Sequence, residues 1–212
     1  MDNEKRSDVL ILVGGASGAG KTSIARAIEE QGIAVYRKIH ELALDIVREK
    51  GGDVKTTFEQ LDDSMVIERI IAITKEHHSV VSDLHFAIQP LVDTAFLIEG
   101  RIDDEKLMTE KYEPAFKVAE LSRIIDCGIT LVPVLVTCDV DTLISRRAQI
   151  TTRISRSLRR EIILQECTAE LETYFSTVEQ LDLQPQIFVN ADNQFDEFRK
   201  ELTIFLTLKT EK

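Results

Sequence analysis

The chain has 212 residues, 43% of them hydrophobic, which suits a single domain spanning 1–212 around one sizeable core. A net charge of −11 and a pI near 4.9 argue against a broad nucleic-acid-binding face. No run approaches the roughly 18 apolar residues of a membrane span, and the opening "MDNEKRSD" lacks the apolar middle of a secretory signal. Three widely spaced cysteines, with no Cys-x-x-Cys pair, read as reduced thiols. The expectation is a cytoplasmic protein with no structural metal site, no membrane contact and no nucleic-acid partner.

Apolar runs alternate with amphipathic stretches, the pattern of βαβ units around a parallel sheet, so the expected fold class is α/β. Residues 8–13 (DVLILV) predict the first strand, and 21–31 a helix with Ile24, Ala25, Ala27 and Ile28 inward. A short strand is expected at 32–36, then helices at 38–51 and 56–77 around a turn at Gly51-Gly52-Asp53. "SVVSD" (79–83) predicts a strand ending in an acid, and 114–128 a helix. The run 129–139 predicts a strongly apolar strand. Pro133 inside it cannot donate to a ladder, which places the start of pairing after it. A long arginine-rich helical stretch, a fifth strand at 185–192 and an amphipathic C-terminal helix complete the reading. Segment 89–113 has mixed periodicity and carries no assigned element.

The most specific motif is Gly15-x-x-x-x-Gly20-Lys21-Thr22, set between a predicted strand and a predicted helix. Its glycines let consecutive N–H groups turn inward as an anion nest, and the helix dipole begins at the same point. Lys21 can reach the β- and γ-phosphates of a nucleotide, and the Thr22 hydroxyl can enter a Mg²⁺ shell. The candidate ATP-binding set is Gly15, Ala16, Ser17, Gly18, Ala19, Gly20, Lys21, Thr22 and Ser23.

Asp83, at the end of an apolar strand, is the second candidate for the Mg²⁺ shell, with His85 two residues on. Asp139 is its competitor, but its place before a helical segment is explained by N-capping alone. Residues 142–160 (TLISRRAQITTRISRSLRR) hold six arginines and no acid inside an acidic protein. If part of this segment folds over a nucleotide, its guanidiniums stabilise charge on a transferring phosphoryl group.

With these residues in view, the chain resembles the P-loop kinases of small molecules, and most of all the archaeal adenylate kinase-like branch of nucleoside monophosphate kinases. The resemblance rests on "GGASGAGKTS", on Asp83-x-His85 after a strand, on "RRAQITTRISR" (146–156) and on "VNAD" (189–192) before a last helix. It implies a three-layer P-loop fold with a five-stranded parallel sheet, acceptor-binding helices at about 37–77 and an arginine-bearing lid at about 146–160. It further implies ATP and Mg²⁺ held by the loop, with Thr22 and Asp83 on the metal. Lys21, Asp83, Arg147, Arg153 and Arg156 would be catalytic, His85 would lie beside the phosphate, and Asn190 near the adenine.

The acceptor half departs from that branch: no arginine matches its usual grip on the acceptor phosphate, and Arg37 and Lys38 are the substitutes at hand. The same loop also resembles those of 2-phosphoglycerate kinases and uridine kinases, which would make the acceptor a small metabolite. A nucleotide-dependent switch or slow ATPase acting on a protein partner is the third reading, with 89–113 and 161–181 as its surface. Against that surface, Ile162, Ile163, Cys167, Leu171, Tyr174 and Phe175 recur near helical spacing, as ordinary packing requires.

Overall fold

The structure is a computed structural model describing residues 7–51, 61–90, 104–149, 157–190, 196–197, 200–201 and 203–205. Five parallel strands form the sheet: β1 (Asp8–Gly14), β2 (Val35–Tyr36), β3 (Ser79–Asp83), β6 (Ile129–Thr137) and β7 (Gln186–Val189), in the order β2-β3-β1-β6-β7. A two-stranded antiparallel pair, β4 (Ala87–Ile88) with β5 (Glu113–Pro114), lies apart from it. The helices are α1 (Lys21–Glu30), α2 (Ile39–Lys50), α3 (Asp63–His77), α4 (Asp104–Thr109), α5 (Val118–Asp126), α6 (Val140–Gln149) and α7 (Arg160–Gln180).

Alternation along β1 divides the core between two faces. Val9, Ile11 and Val13 pack with Ile24, Ala25 and Ile28 of α1, Leu143 of α6 and Ile163 of α7. Leu10 and Leu12 point the other way, into a cluster with Ile46 of α2, Ile67 and Ile70 of α3 and Ile124 of α5. Helices thus cover both faces of a buried parallel sheet, the three-layer arrangement expected. The long helix α7 serves both faces: Ile163 belongs to the first cluster, Tyr174 and Val178 to the second. Its middle turns therefore pass the edge where the functional loops lie.

Several expected boundaries shift. β2 is only Val35–Tyr36, and the expected helix 114–128 begins at Val118 because Pro114 is taken into β5. Helix α3 starts at Asp63, where Asp62 caps it by accepting from Ser64 N at 3.1 Å; Gly52 and Asp53 of the expected turn lie outside the described residues. The arginine-rich stretch is not one helix: α6 ends at Gln149 and α7 begins at Arg160. Gln89, in the segment that resisted assignment, donates from Nε2 to Leu107 O and Glu110 O, both at 2.8 Å, and Leu107 packs on Ile162 at the start of α7.

The expectation for Pro133 is corrected. It sits within β6, opposite Leu12 of β1, and the ladder runs through it from Ile129. The reason is one-sided pairing: β7 joins β6 only from Val134 onward, so the missing N–H faces the side where no strand has begun. There Tyr174 Oη lies 3.3 Å from Pro133 O, and it also accepts from Gln186 N (2.6 Å) within reach of Gln186 O (2.9 Å). Tyr174 is fully buried, which pushes its phenol up to about 12. Tyr174→Phe leaves Gln186 N–H without this acceptor. Urea unfolding of that variant is expected to show a loss of about 1–3 kcal/mol, and an unchanged midpoint contradicts this account.

Candidate active site

The loop after β1 is shaped by close approach. Gly15 has φ 137°, and a Cβ there would stand 2.2 Å from Val136 O of β6. Gly20 has φ 102°, and its Cβ would meet Asn190 Nδ2 at 2.3 Å. Glycine alone meets both demands. The loop turns directly into α1 at Gly20, and a helix N-terminus favours an anion.

Lys21 opens α1 and folds back on the loop. Its Nζ donates to Gly15 O at 2.5 Å and Ala16 O at 3.2 Å, and lies 3.3 Å from His85 Nε2. The next residue, Thr22, donates its hydroxyl to Asp83 Oδ2. Asp83 reaches this point because β3 lies beside β1 with Val13 opposite Asp83. Its other oxygen, Oδ1, accepts from the Tyr36 hydroxyl at 2.9 Å, off the end of β2. Burial, and then the neighbouring Asp83 charge, push the Tyr36 phenol above its usual range, so it stays a donor. A threonine hydroxyl and a carboxylate oxygen held side by side are hard donors of the kind that share a Mg²⁺ shell with nucleotide phosphates.

Behind the loop stands a second layer from α7. Glu166 Oε1 accepts from Ser17 N at 2.6 Å, and its Oε2 takes Arg147 Nη2 at 2.7 Å. Arg147 also donates from Nε to Ser17 O (2.9 Å) and from Nη1 to Ser157 O (3.2 Å). Both side chains of this ion pair are only 2% exposed. One turn on, Glu170 Oε1 is 2.6 Å from His85 Nδ1 and Oε2 accepts from Phe86 N at 2.8 Å. Burial pushes the Glu170 carboxyl up, against the pull of the Lys21 ammonium.

The loop residues Gly15 to Thr22, with Asp83 and His85, are thus brought together, while Ser23 is exposed on the first turn of α1. Asn190 joins them: its Nδ2 donates to Ala19 O at 2.6 Å and its N–H to Thr137 O at 2.7 Å. Arg146 spans the same corner, with Nη2 3.3 Å from Asn190 O and Nη1 3.4 Å from Ala19 O. Asp139 is the cap of α6, taking Thr142 N at 2.8 Å and Thr142 Oγ1 at 2.6 Å, which hold its carboxyl below the usual range. Arg37 donates to Tyr36 O at 2.8 Å, and Lys38 lies 3.9 Å from Glu41. Arg153 and Arg156 lie outside the described residues.

Arg147 corrects the expectation of an arm reaching from a lid. It occupies the last turn of α6 and is consumed by Glu166 and two backbone carbonyls, because an unpaired Glu166 in that position would be a buried uncompensated charge. Sequence reasoning missed Tyr36, Glu166 and Glu170. For the two glutamates the signal was readable: Ile163, Glu166, Glu170, Tyr174 and Thr177 follow helical spacing, which sets two acids on the inward face of α7. Arg147→Ala is therefore expected to cost about 3–5 kcal/mol in urea unfolding. An exposed lid arginine would change stability by less than about 0.5 kcal/mol, and that result would return Arg147 to the lid.

No curated protein matches the chain in sequence. A family model described as Zeta toxin matches residues 2–79, a little over a third of the chain, from before β1 to the start of β3. Among solved structures, the YorR protein from Bacillus subtilis in complex with phosphorylated GDP is similar at 15% identity and TM-score 0.54, covering 96% of this chain and 99% of that one. Shikimate kinase from Acinetobacter baumannii in complex with shikimate is similar at 15% identity and TM-score 0.50, covering 97% and 96%. Shikimate kinase from Bacteroides thetaiotaomicron is similar at 16% identity and TM-score 0.50, covering 94% and 98%. At these identities the likeness is one of fold: the chain has the α/β fold, with a five-stranded parallel sheet, of the P-loop kinases.

Proposed function

We propose that the chain is a phosphotransferase that takes the γ-phosphate of ATP, with Mg²⁺, to a small acceptor. The observation that carries this reading is the hydrogen bond from Thr22 to Asp83, which unites the phosphate loop with the end of β3 across 61 residues of sequence. Magnesium held there would supply neutralisation of the charge that develops on the phosphates. Thr22 and Asp83 would hold it, and Tyr36 keeps Asp83 turned towards Thr22. Lys21 exchanges Gly15 O and Ala16 O for phosphate oxygens, which are stronger acceptors. Arg146, beside Ala19 and Asn190, flanks the corner proposed for the nucleotide base. Arg153 and Arg156 belong to this proposal as further phosphate contacts.

Two acceptor classes have support. The order of motifs along the chain supports a nucleoside monophosphate, in the manner of the adenylate kinase-like branch, with Arg37 and Lys38 as its grip. The position of His85 beside Lys21 supports a small hydroxyl-bearing metabolite, such as 2-phosphoglycerate. Free thiols and the absence, among the described residues, of any helix long and apolar enough to cross a membrane are compatible with the cytoplasm as the place of action. The strongly acidic balance supports a small-molecule partner over a nucleic acid.

The test is phosphate transfer from ATP·Mg²⁺ to nucleoside monophosphates and small hydroxy acids, with hydrolysis followed in parallel. Lys21→Ala, folded by circular dichroism, is expected to lower transfer by about 10²–10³-fold. Full turnover in that variant removes the reading, and hydrolysis without transfer to any acceptor points instead to a nucleotide-dependent switch.

A further inference from the structure

The geometry points to Glu170 as a positioning residue: it fixes the tautomer of His85 so that Nε2 presents a lone pair to the phosphate site, where it orients a hydroxyl-bearing acceptor. The hydroxyl part of this inference rests on the phosphotransferase reading, whereas the tautomer part stands on the hydrogen bonds alone.

Four atoms in a row favour one tautomer. The Lys21 ammonium has donors and no lone pair, so its 3.3 Å approach to His85 Nε2 is a hydrogen bond only in the tautomer whose Nε2 accepts. A neutral imidazole with a bare Nε2 carries its hydrogen on Nδ1. Nδ1 lies 2.6 Å from Glu170 Oε1, so in that tautomer it donates to Oε1. The other oxygen, Oε2, is occupied by Phe86 N–H at 2.8 Å, which prevents the carboxylate from rotating away. Glu170 is 1% exposed and comes from α7, so the tautomer of a residue after β3 is set by a helix 85 residues further on. The charged groups around this row are Lys21 from α1, Glu166 one turn back on α7, and Arg147 from α6 on Glu166.

The consequence concerns which acceptor fits. Asp83 has Oδ2 engaged by Thr22 and Oδ1 by Tyr36. His85 Nε2 presents a lone pair on the same side of the phosphate loop, at the position now met by the Lys21 ammonium. Nucleotide phosphates compete with His85 for that ammonium, and once they hold it the natural partner for Nε2 is another donor. A hydroxyl group supplies an O–H to Nε2 and turns its own lone pair away from the ring. A phosphate dianion has no proton to supply and meets the lone pair with repulsion. The inferred acceptor class is therefore a small hydroxyl-bearing molecule, in preference to the phosphate of a nucleoside monophosphate.

The test reads the tautomer first. Nitrogen-15 NMR of the whole chain, with His85 assigned through the signals lost in His85→Gln, is expected to show hydrogen on Nδ1 and a bare Nε2. Glu170→Gln turns an amide N–H towards Nδ1 and should move the hydrogen to Nε2, a change that mere loosening of the core does not produce. In the same variant, kcat for a hydroxyl acceptor should fall by about 10²-fold with KM for ATP nearly unchanged. Hydrogen on Nε2 in the unsubstituted protein overturns the inference, and that spectrum decides the matter even if Glu170→Gln does not fold. So does an unaltered kcat in a folded Glu170→Gln. Transfer to nucleoside monophosphates with none to hydroxyl acceptors overturns the acceptor class alone. No transfer to anything removes the phosphotransferase reading, and the acceptor class with it, while the tautomer still stands or falls on its spectrum.

Discussion

The buried ion pair between Arg147 and Glu166 is the contact on which the rest of the site depends. A glycine-rich loop has few side chains of its own to hold it, and glycine loses the most conformational freedom on ordering. Here the ordering comes from outside the loop. Glu166 takes the N–H of Ser17 while Arg147 takes its carbonyl, so both backbone groups of one residue are gripped by two charges that neutralise each other. Removing either charge leaves the other uncompensated in the interior, a heavier loss than that of one hydrogen bond.

The sheet order explains why the functional groups converge. β1 lies between β3 and β6: the chain runs from β1 to β2 and β3 on one side and only later crosses to β6 and β7 on the other, an order that in open α/β sheets opens a crevice at the carboxyl ends of the strands. The phosphate loop sits at that crevice. On one side β3 delivers Asp83 and His85, with Tyr36 beyond them at the end of β2. On the other side β6 packs so closely that Val136 O touches the space a side chain on Gly15 would fill. The glycine-rich loop and Asp83 thus meet by strand register, and the close approach of β6 and Asn190 selects the glycines.

Charge follows the same local logic in a protein that is acidic as a whole. The two inward acids of α7 are matched by two cations: Arg147 contacts Glu166 directly, and Lys21 faces Glu170 across His85. Lys21 therefore serves two masters. It is held by loop carbonyls and the imidazole, and it is drawn towards any polyphosphate that enters. Coupling between nucleotide binding and the environment of His85 is built into this sharing, because a single ammonium links both.

By itself the sequence determined the layers of the fold and brought the glycine-rich loop and Asp83 into view as a candidate site. Hydrophobic period and length mark β1, α1 and β3 almost to the residue, since each is a local pattern buried on known faces. The phosphate loop and Asp83 are legible for the same reason: their chemistry lies in a short spacing and a strand end. Asp139 as a helix cap was readable from its two nearest turns. What the tertiary structure alone decided are the long-range partners. Pro133 stands inside a paired strand because β7 begins one residue later, a fact of register absent from the local sequence. Arg147 turned from a lid arm into a brace because a glutamate 19 residues on occupies the same interior. Tyr36 and Glu170 reach Asp83 and His85 across 47 and 85 residues. The energy of such contacts depends on burial and on which charges meet, and only the folded chain brings them together.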